Sequence, residues 1–221
     1  MRPLPAAYSE RYRRWRSTDY ADAAPWFLRL AREGQHPRAM VIACCDSRID
    51  VNRLFCTDAG EVFLHRNIAN LVPPYRPEAE LQATSSAIEY AVRVLKVAHL
   101  IVLGHSGCGG IAACDSMCRG EAPELEEATS FVGRWLDLLR DVHADLEAGG
   151  KATSGRVFEQ AAVLASLANL MSFPFVAEDV RRGDLSLHGL WFDIGSGEMT
   201  GYDPALRRFA PVLTAQPQRV R

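Results

Sequence analysis

The 221-residue sequence predicts an α/β fold, a mostly parallel central β-sheet flanked by helices. Short, almost continuous apolar runs at Arg38 to Cys44, Glu61 to Leu64 and Ala98 to Leu103 read as strands buried on both faces. Longer segments with helical periodicity separate them, the clearest being Pro77 to Lys96, with Leu81, Ile88, Ala91, Val92 and Leu95 on one face. The chain is 48% hydrophobic, enough for one sizeable core, and shows no internal repeat.

Taken in order, Tyr8 to Glu33 reads as two helical pieces, with Trp15, Trp26, Phe27 and Leu30 buried and a helix start at Asp22-Ala23-Ala24-Pro25. So large an aromatic load suits packing, including packing on a second subunit. Residues 1–34 are therefore expected to form an N-terminal arm, and 35–221 a single α/β domain. After the third strand, helices are expected at about Cys108 to Cys118, Leu125 to Glu147 and Ser154 to Ser172. A fourth strand, Leu185 to Ile194, turns at Gly195-Ser196-Gly197, and Met199 to Tyr202 pairs back on it as an edge hairpin strand.

A formal net charge of −2 gives no reason to expect nucleic acid or an anionic membrane as partner. The first 25 residues lack the apolar core of a secretory signal, and no apolar run is long enough to span a bilayer. The expectation is a cytoplasmic protein whose six cysteines, Cys44, Cys45, Cys56, Cys108, Cys114 and Cys118, are reduced.

Two segments carry the chemistry: Cys44-Cys45-Asp46-Ser47-Arg48, ending the first strand, and His105-Ser106-Gly107-Cys108, following the third. Ligands in such folds bind at the carboxyl ends of strands. Two thiolates and one imidazole are one ligand short of a tetrahedron, as in a catalytic zinc site that keeps its fourth place for water. Extended geometry would turn Cys44, Asp46 and Arg48 to one side and Cys45 and Ser47 to the other, with Asp46 and Arg48 as a charge-assisted pair. Read alone, Asp46-Ser47 suits a helix cap equally well, and an isolated H-x-x-C suits a buried structural pair. The conjunction of the two segments shifts the reading to metal. The glycine-rich loop matches neither G-x-S-x-G nor G-x-G-x-x-G. Cys114 and Cys118 lack a second ligand pair, and His36, His65, His99, His143 and His188 read as structural.

Cys44-x-Asp46-Ser47-Arg48 and His105-x-x-Cys108 together resemble the two motifs of the β-class carbonic anhydrases. Arg66-Asn67-Ile68-Ala69-Asn70-Leu71-Val72-Pro73-Pro74-Tyr75, Ala87 to Ala91 and Gly104 to Gly110 resemble the plant-type branch; Cys45 departs from it, standing where that family commonly has Ser. The resemblance implies one zinc ion per chain on Cys44, His105 and Cys108. It implies Asp46 as the acceptor for the zinc-bound water, held by Arg48, and a pocket of Phe63, Ile68, Tyr90 and Gly109, with Gln35 from an adjacent subunit. It further implies a homodimer or higher homo-oligomer, an arm wrapping the partner, and reversible hydration of carbon dioxide to bicarbonate by zinc-bound hydroxide. Hydrolysis of carbon disulfide or carbonyl sulfide at the same residues is the alternative. Some bacterial relatives close the site by swinging the aspartate onto zinc when bicarbonate binds a Trp, an Arg and a late Tyr. Here those positions are Val41, Arg66 and, by the best alignment, Phe192, so an open site with Asp46 on Arg48 is expected.

Overall fold

In the computed structural model, which describes residues 1–79 and 82–212, six strands form one mixed sheet. They are β1 (Ala39–Cys44), β2 (Val62–Asn67), β3 (His99–His105), β4 (Ser186–Phe192), β5 (Met199–Asp203) and β6 (Arg208–Pro211), in the order β2-β1-β3-β4-β5-β6. The first four are parallel, while β5 and β6 run antiparallel at the edge, beyond the single hairpin strand expected. Register matters for the site: Cys44 lies opposite Asn67 on β2, and Met40 opposite Phe63.

One face of the sheet, from Met40, Ile42, Leu100 and Val102, packs on α4 (Ala83–Glu89), α8 (Gly155–Met171) and α9 (Pro174–Arg182), burying Ile88, Val163, Leu170 and Val176. At its carboxyl end the core continues into α5 (Gly109–Cys118), α6 (Phe131–Leu136) and α7 (Arg140–Ala148) through Ile111, Met117, Leu136, Leu139 and Phe158. The other face presents Val41, Ala43 and Leu103 to Ile49 and Val51, the latter on the short α3 (Val51–Phe55). Among the described residues no single helix is long and apolar enough to cross a membrane.

Several boundaries differ from expectation for local reasons. The arm breaks at Thr18, between α1 (Ala6–Ser17) and α2 (Asp19–Glu33), and Pro25 lies inside α2. The break folds Trp15 back onto Tyr20 and Phe27, with ring centroids 5.4 and 6.0 Å apart, and that cluster outweighs the proline signal. Neither arm helix has a buried residue; Trp26, Phe27 and Leu30 are half-buried and Trp15 is exposed, contrary to the expected burial. The segment expected as one helix from Leu125 to Glu147 is interrupted, because Ser130 accepts from the Gly133 N–H and restarts the chain as α6. Pro174 opens α9, which the periodicity did not single out. The helix expected from Pro77 begins at Ala83 and passes at Tyr90–Val94 into a π-helical turn; Leu81 lies outside the described residues.

Candidate metal centre

β1 and β3 lie side by side, so their carboxyl ends deliver Cys44 and His105 to one place, and the turn after β3 returns Cys108 to it. Cys44 shares its parity with Met40 and Ile42, whereas His105 shares its parity with Ile101 and Leu103 on the opposite face. The two ligands therefore meet off the end of the sheet. The ligand atoms of Cys44, His105 and Cys108 all lie within 4.8 Å of one another, and all three residues are buried. The two sulfurs are 3.9 Å apart.

The donor set fits a zinc ion on the chemistry of its atoms. His105 Nδ1 donates to the Ser106 carbonyl at 3.0 Å, which leaves Nε2 as the lone-pair nitrogen, buried and without a hydrogen-bond partner among the described residues. An orphaned buried acceptor beside two thiols is costly unless something occupies it. The Cys108 thiol, by hydrogen bonding, pulls Cys44 well below the ordinary thiol range, and the same pairing with burial pushes Cys108 above it. Two thiols this close favour one thiolate, and a divalent cation held by both would take the place of the second proton. The backbone supports both sulfurs: N–H groups of Asp46 and Ala69 point at Cys44, those of Gly110 and Ile111 at Cys108. Cys108 also caps the N-terminus of α5, which favours a thiolate.

These donors are held by unusual backbone. Ala69, in the 3-10 turn Ile68–Asn70, has φ +61°, and Asn70 has φ +50°. Gly110 lies under that turn, where an added Cβ would sit 2.8 Å from Ile68 Cγ2 and 3.0 Å from Ala69 Cβ. Gly107, at φ +63°, reverses the chain between His105 and Cys108.

Asp46 and Arg48 form the expected pair, but by a turn rather than by strand parity. The strand ends at Cys44, and Asp46 Oδ1 accepts from the Arg48 backbone N–H at 2.9 Å. The guanidinium donates Nε to Oδ1 at 2.9 Å and Nη2 to Oδ2 at 2.7 Å. Nη2 also reaches the Gly107 carbonyl at 2.9 Å, tying the pair to the ligand loop. The Arg48 side chain holds Asp46 far below the usual carboxylate range. Asp46 Oδ2 lies 3.9 Å from His105 Nε2, the candidate ligand atom. Cys45 is exposed and turned away. Arg66 donates to the carbonyls of Cys44 at 2.8 Å and Asp46 at 2.6 Å, so its guanidinium is engaged in holding this turn.

The five substrate candidates divide into two sets. Ile68, beside Ala69 in the 3-10 turn, and Gly109, directly after Cys108, flank the candidate ligands on this chain. Phe63 and Tyr90 stack on each other with centroids 5.8 Å apart, and Tyr90 shares a depression with Gln35, Gly60 and Leu95. Phe63 stands four residues before Asn67 on β2, hence ~13 Å down the sheet from the level of Cys44 at ~3.3 Å per residue. One chain therefore does not bring Phe63, Tyr90 and Gln35 to its own Cys44, His105 and Cys108, against the expectation of a pocket in which only Gln35 comes from elsewhere.

Residues 39–199 match the family model described as carbonic anhydrase. The chain is 36% identical to a carbonic anhydrase of Pseudomonas aeruginosa over 200 residues, 89% of this chain and 86% of that protein. It is also 36% identical to a carbonic anhydrase of Synechocystis sp. over 183 residues, 80% of this chain. It spans 63% of that relative's length, and 60% of the length of chloroplastic β carbonic anhydrase 5 of Arabidopsis thaliana, to which it is 34% identical over 83% of this chain. Among solved structures, the β-carbonic anhydrase CcaA superposes with a TM-score of 0.81 at 30% identity, over 95% of this chain and 92% of that one. A tetrameric β-carbonic anhydrase of Sordaria macrospora superposes with a TM-score of 0.71 at 30% identity, over 88% and 94% of the two chains.

Proposed function

Because the chain belongs to the β-class carbonic anhydrases, we propose that it catalyses the reversible hydration of carbon dioxide to bicarbonate and a proton, using one zinc ion per chain. The observation that carries this is the buried, partnerless Nε2 of His105 within 4.8 Å of two thiol sulfurs, with an Arg48-held carboxylate beside it. Cys44, His105 and Cys108 would hold the ion. Bound there, zinc would act as a Lewis acid that brings the pKa of water from ~15.7 towards ~7 and so supplies a nucleophile at neutral pH.

The side chains do the rest. Asp46, kept ionised by Arg48, is an acceptor only; its Oδ2 takes a hydrogen bond from the attacking water and aims the oxygen lone pair at carbon. Arg48 keeps that carboxylate from turning to the metal. Carbon dioxide has no charge to grip, so an apolar wall of Ile68, Phe63 and Tyr90 with the Gly109 backbone suits it, and the Gln35 amide donates to a substrate oxygen. The ~13 Å offset of Phe63 within a single chain supports assigning Phe63, Tyr90 and Gln35 to the site of a neighbouring subunit. On this reading the protein is a homo-oligomer of at least two chains, residues 1–34 are an arm that covers its exposed aromatic cluster on the partner, and the enzyme works in the cytoplasm. No feature of the site favours carbon disulfide or carbonyl sulfide as substrate.

The test is stopped-flow carbon dioxide hydration with zinc analysis of the wild type and Cys108→Ala. The variant should lose zinc and activity together. Full zinc occupancy in Cys108→Ala rejects the ligand assignment, and a zinc-loaded wild type inert to carbon dioxide but active on carbonyl sulfide rejects the substrate.

A further inference from the structure

Glu159 is a buried carboxylate that the metal ligands do not explain. It sits on α8, 5% exposed, and forms no ion pair among the described residues. Its Oε1 accepts from the Gly107 N–H at 2.7 Å and the Cys108 N–H at 3.3 Å. Its Oε2 accepts from the indole Nε1 of buried Trp191 at 3.0 Å. The Arg156 guanidinium, one turn earlier on α8, lies 4.5 Å from the centroid of that indole ring, over its face. Burying an ionised carboxylate costs several kcal/mol unless its lone pairs are met. Three N–H donors meet them, and an ionised carboxylate is the one side chain that offers acceptors alone on both oxygens.

The peptide so gripped is the hinge of the site. Gly107 presents its N–H to Glu159 and its carbonyl to Arg48 Nη2, the nitrogen that also holds Asp46. The next N–H belongs to Cys108, whose sulfur is a proposed ligand. The core helix α8 is thus coupled through the two peptide units that flank Gly107 to both Cys108 and the Asp46–Arg48 pair.

We propose that Glu159 is a positioning residue for the metal loop, fixing Cys108 and, through the Gly107 peptide, Arg48. This rests on the zinc site assigned above. Glu159→Gln keeps the shape but places an amide N–H against either the Trp191 indole or the Gly107 and Cys108 N–H groups, so one side of the grip fails. Zinc release from the purified enzyme into a chelator should accelerate about 10- to 100-fold, the usual consequence of removing such an outer partner. In the cobalt(II)-substituted enzyme the thiolate charge-transfer band should shift, a signature that does not depend on the substrate. Adding Trp191→Phe to Glu159→Gln removes the donor clash and should recover part of the retention. Phe158→Leu, matched for loss of thermal stability, should leave release and spectrum as in the wild type. If folded Glu159→Gln releases zinc at the wild-type rate with an unshifted cobalt spectrum, Glu159 is only core packing. If that variant does not fold, Trp191→Phe alone decides, with several-fold faster release expected and wild-type release overturning the proposal. A wild type that binds no metal at Cys44, His105 and Cys108 is a different failure, that of the ligand assignment.

Discussion

Substituting Gly110 by Ala should damage the metal site far more than the fold. The added Cβ would lie 2.8 Å from Ile68 Cγ2 and 3.0 Å from Ala69 Cβ, with the Ala69 nitrogen 3.5 Å away. Ile68 is 40% exposed, so its methyl can move into solvent. Ala69 has no rotamer to change and is fully buried at φ +61°, so its backbone must give by a few tenths of an ångström. Overpacking of this kind costs about 1–3 kcal/mol. Ala in place of Gly within α5 returns up to about 1 kcal/mol of helix propensity, so the net loss of stability is about 0–3 kcal/mol. The same displacement pulls the Ala69 N–H from Cys44, and Gly110's own N–H serves Cys108, so both thiolates lose support. Zinc affinity should fall about tenfold or more. Gly109→Ala is the matched control: its Cβ meets nothing within 4 Å among the described residues, and metal content and melting should stay at wild type or slightly above. Competition with a chromophoric chelator measures the affinity, and urea unfolding of the metal-loaded proteins measures stability. If Gly110→Ala holds zinc as tightly as Gly109→Ala, the turn at Ile68–Asn70 does not govern the thiolates and the reasoning fails.

Arg48→Ala should retain zinc but lower turnover at least tenfold, and Arg48→Lys should not restore it, since an ammonium cannot reproduce the two-pronged grip on Asp46; wild-type rates in either variant would make Arg48 merely structural. The folded pKa of Asp46 is depressed, so its contribution to stability is complete above the unfolded value near ~3.9 and is lost as pH falls below it towards the folded value. The stability gap between wild type and Asp46→Asn should accordingly be constant from pH 5 to 8 and shrink below pH 4, and a gap independent of pH argues against an ionised pair. Bicarbonate should inhibit without cooperativity, because Val41 is buried and offers no donor, Phe192 has no hydroxyl, and Arg66 is engaged with two backbone carbonyls; a steep sigmoidal loss of activity contradicts this. Co-expressed Cys108→Ala and Tyr90→Ala chains, each inactive alone, should regain activity in mixed oligomers if Tyr90 serves the neighbouring site, and light scattering should show no active monomer at micromolar concentration.

The readable parts of this protein are those in which local pattern and fold agree. Cys44 and His105 could be placed because a buried parallel strand announces itself by apolar continuity and its carboxyl end by the first polar residues. Glu159 escaped notice because it stands 51 positions after Cys108, on a helix that reads as core. Its signal was an anomaly, one acid between Phe158 and the run Ala161-Ala162-Val163. The break at Thr18 escaped because the aromatic cluster that causes it joins residues on two helices, which no window along the chain sees. That one chain does not gather the five pocket candidates was hidden for a related reason. Phe63 shares a face with Cys44, so pattern alone groups them, yet parallel register sets them four residues apart along the sheet. The candidate metal ligands stand at the carboxyl ends of β1 and β3, where one chain supplies charge and thiols but little apolar wall. The aromatic pair stands at the other end of β2 with nothing of its own to enclose. Each half is left incomplete in the single chain, and under the proposed assembly a second copy would complete both, so the mixed-oligomer experiment tests the site's chemistry and the role of the exposed arm together.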